Sequence, residues 1–165
     1  MMSSAGGKDE GCIFCQALSS ATASPLVLFH GKTAFVILNK FPYNNGHLMV
    51  APKQHVGTLA DATPEELIEL ISLTRTAEMV LTEAYSPNGM NIGMNLGRTA
   101  GAGVLGHLHM HLVPRWEGDT NFMGVIGETR VVPEMPDQTV QRLAPIFEKL
   151  VTADAKVMVS APVAS

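Results

Sequence analysis

The sequence predicts a single α+β domain built on antiparallel strands. Three observations lead there: apolar runs at hairpin spacing in the first third, one long helix with a complete N-terminal cap in the middle, and strand-like runs behind it. A chain of 165 residues suits one well-packed domain rather than two.

The opening MMSSAGGKDEG (1–11) is small, polar and glycine-rich and reads as a disordered leader. It lacks the apolar stretch of a secretion signal, so the chain is expected to be cytoplasmic. The domain is expected over 12–152. PLVLFH (25–30) and TAFVILNK (33–40) are rich in β-branched and aromatic residues and flank Gly31-Lys32, which predicts a hairpin. HLMVAPK (47–53) follows the Asn44-Asn45-Gly46 turn signal. TPEELIELISLTRTAEMVLTEAY (63–85) is the clearest helix. Thr63 is a good N-cap, Pro64 suits the first helical position, and Glu66 completes a capping box. Leu67, Leu70, Ile71, Ala77 and Leu81 give its apolar stripe. Ser86-Pro87-Asn88-Gly89 ends it. GMNIGMNLG (89–97) reads as a strand that something approaches closely. A second helix is expected over much of 137–152, with Pro145 either kinking it or marking its start. A C-terminal tail is expected over 153–165, of which KVMVSAPVAS (156–165) carries no helix pattern and reads as a loosely docked end.

The composition is 46% apolar and 16% charged, with a net charge of −4. No Lys/Arg cluster stands out, which argues against a broad nucleic-acid surface. No apolar run reaches the roughly eighteen residues of a membrane span. A small anionic ligand in a local pocket fits these limits.

HLHMHLVPRW (107–116) places three of the chain's six histidines at alternate positions. As a strand it sends His107, His109 and His111 to one face and Leu108, Met110 and Leu112 to the other. Three uses are open: unrelated histidines on a strand, a His-x-His metal site, or nucleophilic catalysis with one imidazole attacking and its neighbours fixing tautomer. The small-residue run NLGRTAGAGVLGH (95–107) leads into the triad, and its backbone amides suit phosphate oxygens. The pair suggests a phosphoryl site. Cys12 and Cys15 form a Cys-x-x-Cys. A redox pair lacks βαβ surroundings, a disulfide is disfavoured in a cytoplasmic chain, and zinc needs two further ligands.

HLHMHLVPR resembles the His-φ-His-φ-His-φ-φ signature of the histidine triad (HIT) family. NNGHLMVAPKQH (44–55), ILNK (37–40) and CIFC (12–15) are similar to further family segments, in the same order. The resemblance implies the HIT fold: a five-stranded antiparallel sheet with one long helix and a C-terminal helix, dimerising into a continuous sheet. It implies that His109 attacks the α-phosphorus and forms a nucleotidyl-imidazole. His107 and His111 would orient it and bond phosphate oxygens, and His47 would support the nucleophile's other nitrogen. Asn39 matches a ribose contact and Asn95 a contact near the phosphates. The implied metal is structural zinc on Cys12, Cys15, His55 and His107, with no organic cofactor.

Relatives commonly place Gln-Ser or Gln-Thr just before the first histidine. Here Ala102, Gly103 and Val104 stand there, so phosphate binding is expected from backbone amides of about 101–104, including Gly101, Ala102 and Gly103. PRWEGDTNFMGVIGETRVVPE (114–134) is similar to an extension of the branch containing dinucleoside tetraphosphate (Ap4A) phosphorylases and related adenylyltransferases. Trp116 would stack on a base, close a subunit interface or simply pack. Arg115 would contact phosphate or form an ion pair. The implied function is cleavage of Ap4A by phosphate to ADP and ATP. A nucleoside phosphoramidase, a dinucleoside polyphosphate hydrolase, a three-histidine zinc hydrolase and a regulatory module that binds nucleotide without turnover are the alternatives.

Overall fold

The computed structural model describes residues 11–19, 24–119 and 134–160. A short helix α1 (Ile13–Ala17) precedes the hairpin β1 (Val27–His30) and β2 (Ala34–Leu38). Then come β3 (Leu48–Pro52), the long helix α2 (Pro64–Tyr85), β4 (Gly89–Met94), β5 (Met110–Arg115) and helix α3 (Pro136–Ser160). The sheet has five strands in the order β1-β2-β3-β5-β4, and every neighbouring pair is antiparallel.

Alternation along the strands splits the interior in two. Val36, Leu38, Leu48, Val50, Met110 and Leu112 face the helices, where Leu70, Ala77, Val80 and Leu81 of α2 and Leu143 and Phe147 of α3 meet them. Phe35, Ile37, Met49 and Ala51 point the other way and pack on Phe14, Cys15 and Ala17 of α1. This sheet is therefore covered on both faces, which is why β2 and β3 are buried at every position.

Helix α2 starts as its sequence dictates. Thr63 Oγ1 accepts from Glu66 N–H at 3.3 Å, and Glu66 returns the bond to Thr63 N–H at 2.8 Å. Its buried stripe differs from the expected one: Ile71 is 56% exposed, and Leu73, Thr74 and Val80 are buried instead. At 3.6 residues per turn Ile71 lies about 100° round from Leu70, on the outer side. Gly46 closes the turn before β3 at φ +69°, where an added Cβ would stand 2.8 Å from the Tyr85 ring.

Helix α3 begins nine residues before Pro145 and runs through it to Ser160, so Pro145 does not mark its start and residues 153–160 are helical. The leader 1–10, the end 161–165 and most of the 114–134 extension lie outside the described residues.

Candidate active site and metal cluster

The triad straddles the start of β5. Strand pairing begins only at Met110, so His107 and His109 precede the ladder rather than belonging to it. The approach stays extended because Leu108 N–H donates to the Val56 carbonyl at 2.6 Å. Gly57 and Gly106 make that approach possible: a Cβ on Gly57 would meet Gly106 Cα at 3.3 Å, and Gly106 itself sits at φ +81°. Side-chain alternation survives. Leu108, Met110 and Leu112 enter the helix-side core. The three imidazoles share the opposite face, with His109 and His111 ring centroids 4.8 Å apart.

Hydrogen-bond partners fix what each ring nitrogen can do. His109 Nδ1–H donates to the His107 carbonyl at 2.8 Å, which leaves the lone pair on Nε2. Tyr43 N–H donates to His47 Nδ1 at 3.1 Å, so His47 carries its proton on Nε2. That proton is donated to His111 Nδ1 at 2.9 Å, which places the His111 proton on Nε2. The result is one nucleophilic nitrogen beside one N–H donor. His47 thus supports His111, not the second nitrogen of His109 as the sequence suggested. The reason is register: His111 stands opposite Met49, two residues along from His47 and on the same face of β3.

These rings are neutral by environment. Burial pushes His47 down to about 3, with repulsion from His111 and His109 adding to it. His111 falls to about 4 through burial and then His109, and burial also lowers His109. A neutral imidazole is what a nitrogen nucleophile requires. Stability inherits a pH dependence. The folded pKa of His47 and His111 lies below the unfolded value near 6.5, so the unfolded chain takes up protons first as pH falls. Their contribution is complete above about pH 7 and is lost progressively as pH falls from about 6.5 to about 4 for His111 and to about 3 for His47. Thermal unfolding across that range should show the decline, and His47→Gln should flatten its slope. An equal slope in both proteins would refute the assignment.

His107 has a different occupation. Its Nδ1 lies 3.3 Å from Cys12 Sγ and 3.7 Å from Cys15 Sγ, and its Nε2–H donates to the Pro52 carbonyl at 2.9 Å. Both nitrogens are committed, so His107 reaches the nucleophile only through its backbone carbonyl. This arrangement leaves neither ring nitrogen open for the phosphate contact that the family resemblance implied. His55 Nδ1 lies 3.4 Å from Cys15 Sγ. One ligand atom from each of Cys12, Cys15, His55 and His107 falls within 4.8 Å of the others. These four residues could hold a metal ion.

Asn39 Nδ2 lies 3.3 Å from His47 Nδ1, and its Oδ1 accepts from Phe41 N–H at 3.0 Å. Asn95 Nδ2 donates to the Gly101 carbonyl at 3.4 Å, tying the end of β4 to the glycine-rich loop. The glycine-rich loop behaves differently from expectation. Gly101 N–H donates to Arg98 and Ala102 N–H to Gly97, so the short turn Arg98–Ala100 consumes two of the amides read as phosphate donors. Gly103 is exposed and follows that turn. Trp116 sits five residues beyond His111, about 16 Å along an extended chain. It packs edge-on to Tyr85 at 6.4 Å. Arg115 forms a two-point ion pair with Asp119 at 2.7 and 2.8 Å, its structural alternative.

Two residues escaped the sequence reading. Tyr43 sets the His47 tautomer through its backbone and lays its ring 4.7 Å from that imidazole. Phe14 is fully buried, 4.9 Å from the His109 ring. Its position between the two cysteines was the available signal; nothing in the sequence singles out Tyr43.

The HIT domain model matches residues 21–118. The AP-4-A phosphorylase of Mycobacterium tuberculosis (strain ATCC 25618 / H37Rv) is 44% identical over 119 residues, 72% of this chain and 61% of that protein. The chain therefore spans about three fifths of that relative's length. The asymmetrical bis(5'-nucleosyl)-tetraphosphatase of Schizosaccharomyces pombe is 34% identical over 93 residues, 56% of this chain and 50% of that protein. Among solved structures, a Zn-bound histidine triad family protein from Mycobacterium smegmatis matches with a TM-score of 0.70 and 26% identity, over 87% of this chain and 97% of that one. A family model that covers more than half of the chain, meeting a sheet and a triad of the same kind, establishes that this protein belongs to the HIT domain family.

Proposed function

We propose that the protein is a nucleotidyl transferase that cleaves dinucleoside polyphosphates, converting Ap4A and inorganic phosphate to ADP and ATP. The observation that carries this reading is the ring pair described above: His109 keeps its Nε2 lone pair while Nδ1 is tied to the His107 carbonyl, and His111 offers an Nε2–H beside it. In the first step His109 Nε2 attacks the α-phosphorus. The Nε2–P bond forms, the bond from phosphorus to the bridging oxygen breaks, and ATP departs. His111 donates to a phosphate oxygen as charge builds there. An oxygen of inorganic phosphate then attacks the same phosphorus, the Nε2–P bond breaks, and ADP leaves.

Asn39 is assigned to the ribose hydroxyls and Asn95 to the phosphates. The loop of Gly101, Ala102 and Gly103 carries no side-chain donor, and amides from Gly103 onward remain for phosphate oxygens. The absence of bulk there leaves room for a second anion as acceptor. The similarity to a mycobacterial AP-4-A phosphorylase supports phosphate in that role. Trp116 is assigned to packing against Tyr85 rather than to the base. The edge position of β4 suits pairing with a second copy, which supports the homodimer. Among the described residues no helix is long and apolar enough to cross a membrane.

Zinc is the metal we assign to Cys12, Cys15, His55 and His107. Tetrahedral zinc with ordinary Zn–S and Zn–N bonds separates a sulfur from a nitrogen by about 3.6 Å. The sulfur–nitrogen distances of 3.3, 3.4 and 3.7 Å bracket that value. The Pro52 carbonyl on His107 Nε2–H is the usual outer partner of a metal-bound imidazole. When bound, the ion supplies cross-linking of α1 to the triad segment and no reactive water.

The test is product identity. Purified protein is incubated with Ap4A, with and without phosphate, and the nucleotides are separated. Phosphate-dependent ADP plus ATP is expected. ATP plus AMP without phosphate would make the protein a hydrolase, the reading that the fission-yeast relative supports. No turnover would overturn both.

A further inference from the structure

Helix α1 brings more than two sulfur ligands to the site. Between them it carries Phe14, whose side chain has no exposed surface. The Phe14 ring lies 4.9 Å from His109 at an interplanar angle of 40° and 5.0 Å from His107 at 48°. Phe35 backs it at 6.3 Å, edge to face. The ring is enclosed by these three neighbours.

We propose that Phe14 is a positioning residue for the nucleophile: its ring holds the His109 imidazole in line and stabilises the positive charge which that imidazole gains when Nε2 bonds to phosphorus. The proposal rests on the covalent reading above. Before attack the ring is neutral, with one proton on Nδ1. Attack spends the Nε2 lone pair on the new bond while the Nδ1 proton stays, so the ring becomes an imidazolium. It does so 4% exposed, where water cannot solvate it well. The His107 carbonyl accepts from one edge. The His107 ring cannot help, because both its nitrogens are engaged. Phe14 and the His111 ring, at 4.9 and 4.8 Å, are the remaining aromatic neighbours, and of the two Phe14 alone carries no polar commitment. A cation over the face of an aromatic ring and within about 6 Å of its centroid is attracted to it, and we place the His109 ring, tilted by 40°, toward that face. Cys12 and Cys15 flank Phe14 in sequence, so a metal held by them would fix the buttress at both ends.

The experiment replaces Phe14 with mono-, di- and trifluorophenylalanine, which keep the ring's shape while draining its face of electron density. Formation of the His109 adduct is followed in a single turnover, with mass spectrometry to locate it. Zinc content and KM are measured in parallel. The expected result is a stepwise fall in the adduct-forming rate, about tenfold across the series, with KM and zinc unchanged. Phe14→Leu should fall to the level of the trifluoro protein. Equal rates across the series, with the adduct still on His109, would overturn the proposal. No adduct on His109 in the unsubstituted protein would instead overturn the covalent reading.

Discussion

His109→Ala should abolish turnover of Ap4A, lowering kcat by at least about 10⁴-fold, as removal of a nucleophile does elsewhere. The argument is one of unique capacity. Of the four imidazoles near the site, His107 has both nitrogens committed and His47 accepts at Nδ1 and donates at Nε2. His111 holds its proton on Nε2, through the bond that Nδ1 accepts from His47. Only His109 presents a lone pair. The substitution leaves the Cys12, Cys15, His55 and His107 cluster untouched, so zinc content should not change. His111→Gln offers a contrast. It removes one donor to the developing charge and should cost about 10² to 10³ in kcat, with the adduct still forming slowly. If both variants lost activity equally with no adduct in either, the division of labour between the two rings would be wrong.

Loss of the metal should be the largest effect on stability. The Cys12→Ser, Cys15→Ser double variant should purify without zinc and unfold on the order of 10 °C lower, from the loss of a few kcal/mol of binding free energy. The physical reason is that α1 has little else to hold it. It is only five residues long, and its N-cap Cys12 makes no side-chain capping bond. Its other anchors are the packing of Phe14, Cys15 and Ala17 on Phe35, Ile37, Met49 and Ala51, the contact of Phe14 with the His107 and His109 rings, and one backbone bond from Ser24 to Ala17. Differential scanning calorimetry with elemental analysis measures both quantities. Protein that purifies metal-free and shows no change on substitution would overturn the zinc assignment. Because Phe14 sits between the two ligands, the double variant should also slow adduct formation while leaving KM near its original value.

Much of the fold was legible because its signals are local. The capping box of Thr63 and Glu66 needs only residues three apart, and it forms as written. The hairpin needs only two β-branched runs around Gly31. The long helix's stripe was harder: Ile71 is as apolar as Leu73, and only the direction from which sheet and α3 approach decides which is buried. The C-terminal helix forms over the expected 137–152 but starts before Pro145 and continues to Ser160. Proline costs a helix one hydrogen bond and some strain, which packing of Leu143 and Phe147 in the main core can offset. At the site, the backbone amides of Gly101 and Ala102 were read as available because a glycine-rich run exposes amides in general. The loop closes on itself and uses them.

The sequence by itself determined the residue types and their alternation: three imidazoles on one face of a strand, aliphatic side chains on the other, two thiols one helical turn apart. These follow from the geometry of a single extended or helical segment. Tertiary structure decided which nitrogen of each histidine is free. That choice depends on partners 95, 64 and 55 residues away, at Cys12, His47 and Pro52. It gave His107 to the cluster with Cys12, Cys15 and His55, gave His111 to His47, and left His109 with its lone pair and Phe14 behind it. A tautomer is set by whichever donor or acceptor lies within hydrogen-bonding distance, and only the register of β3 on β5 and the docking of α1 fix those distances.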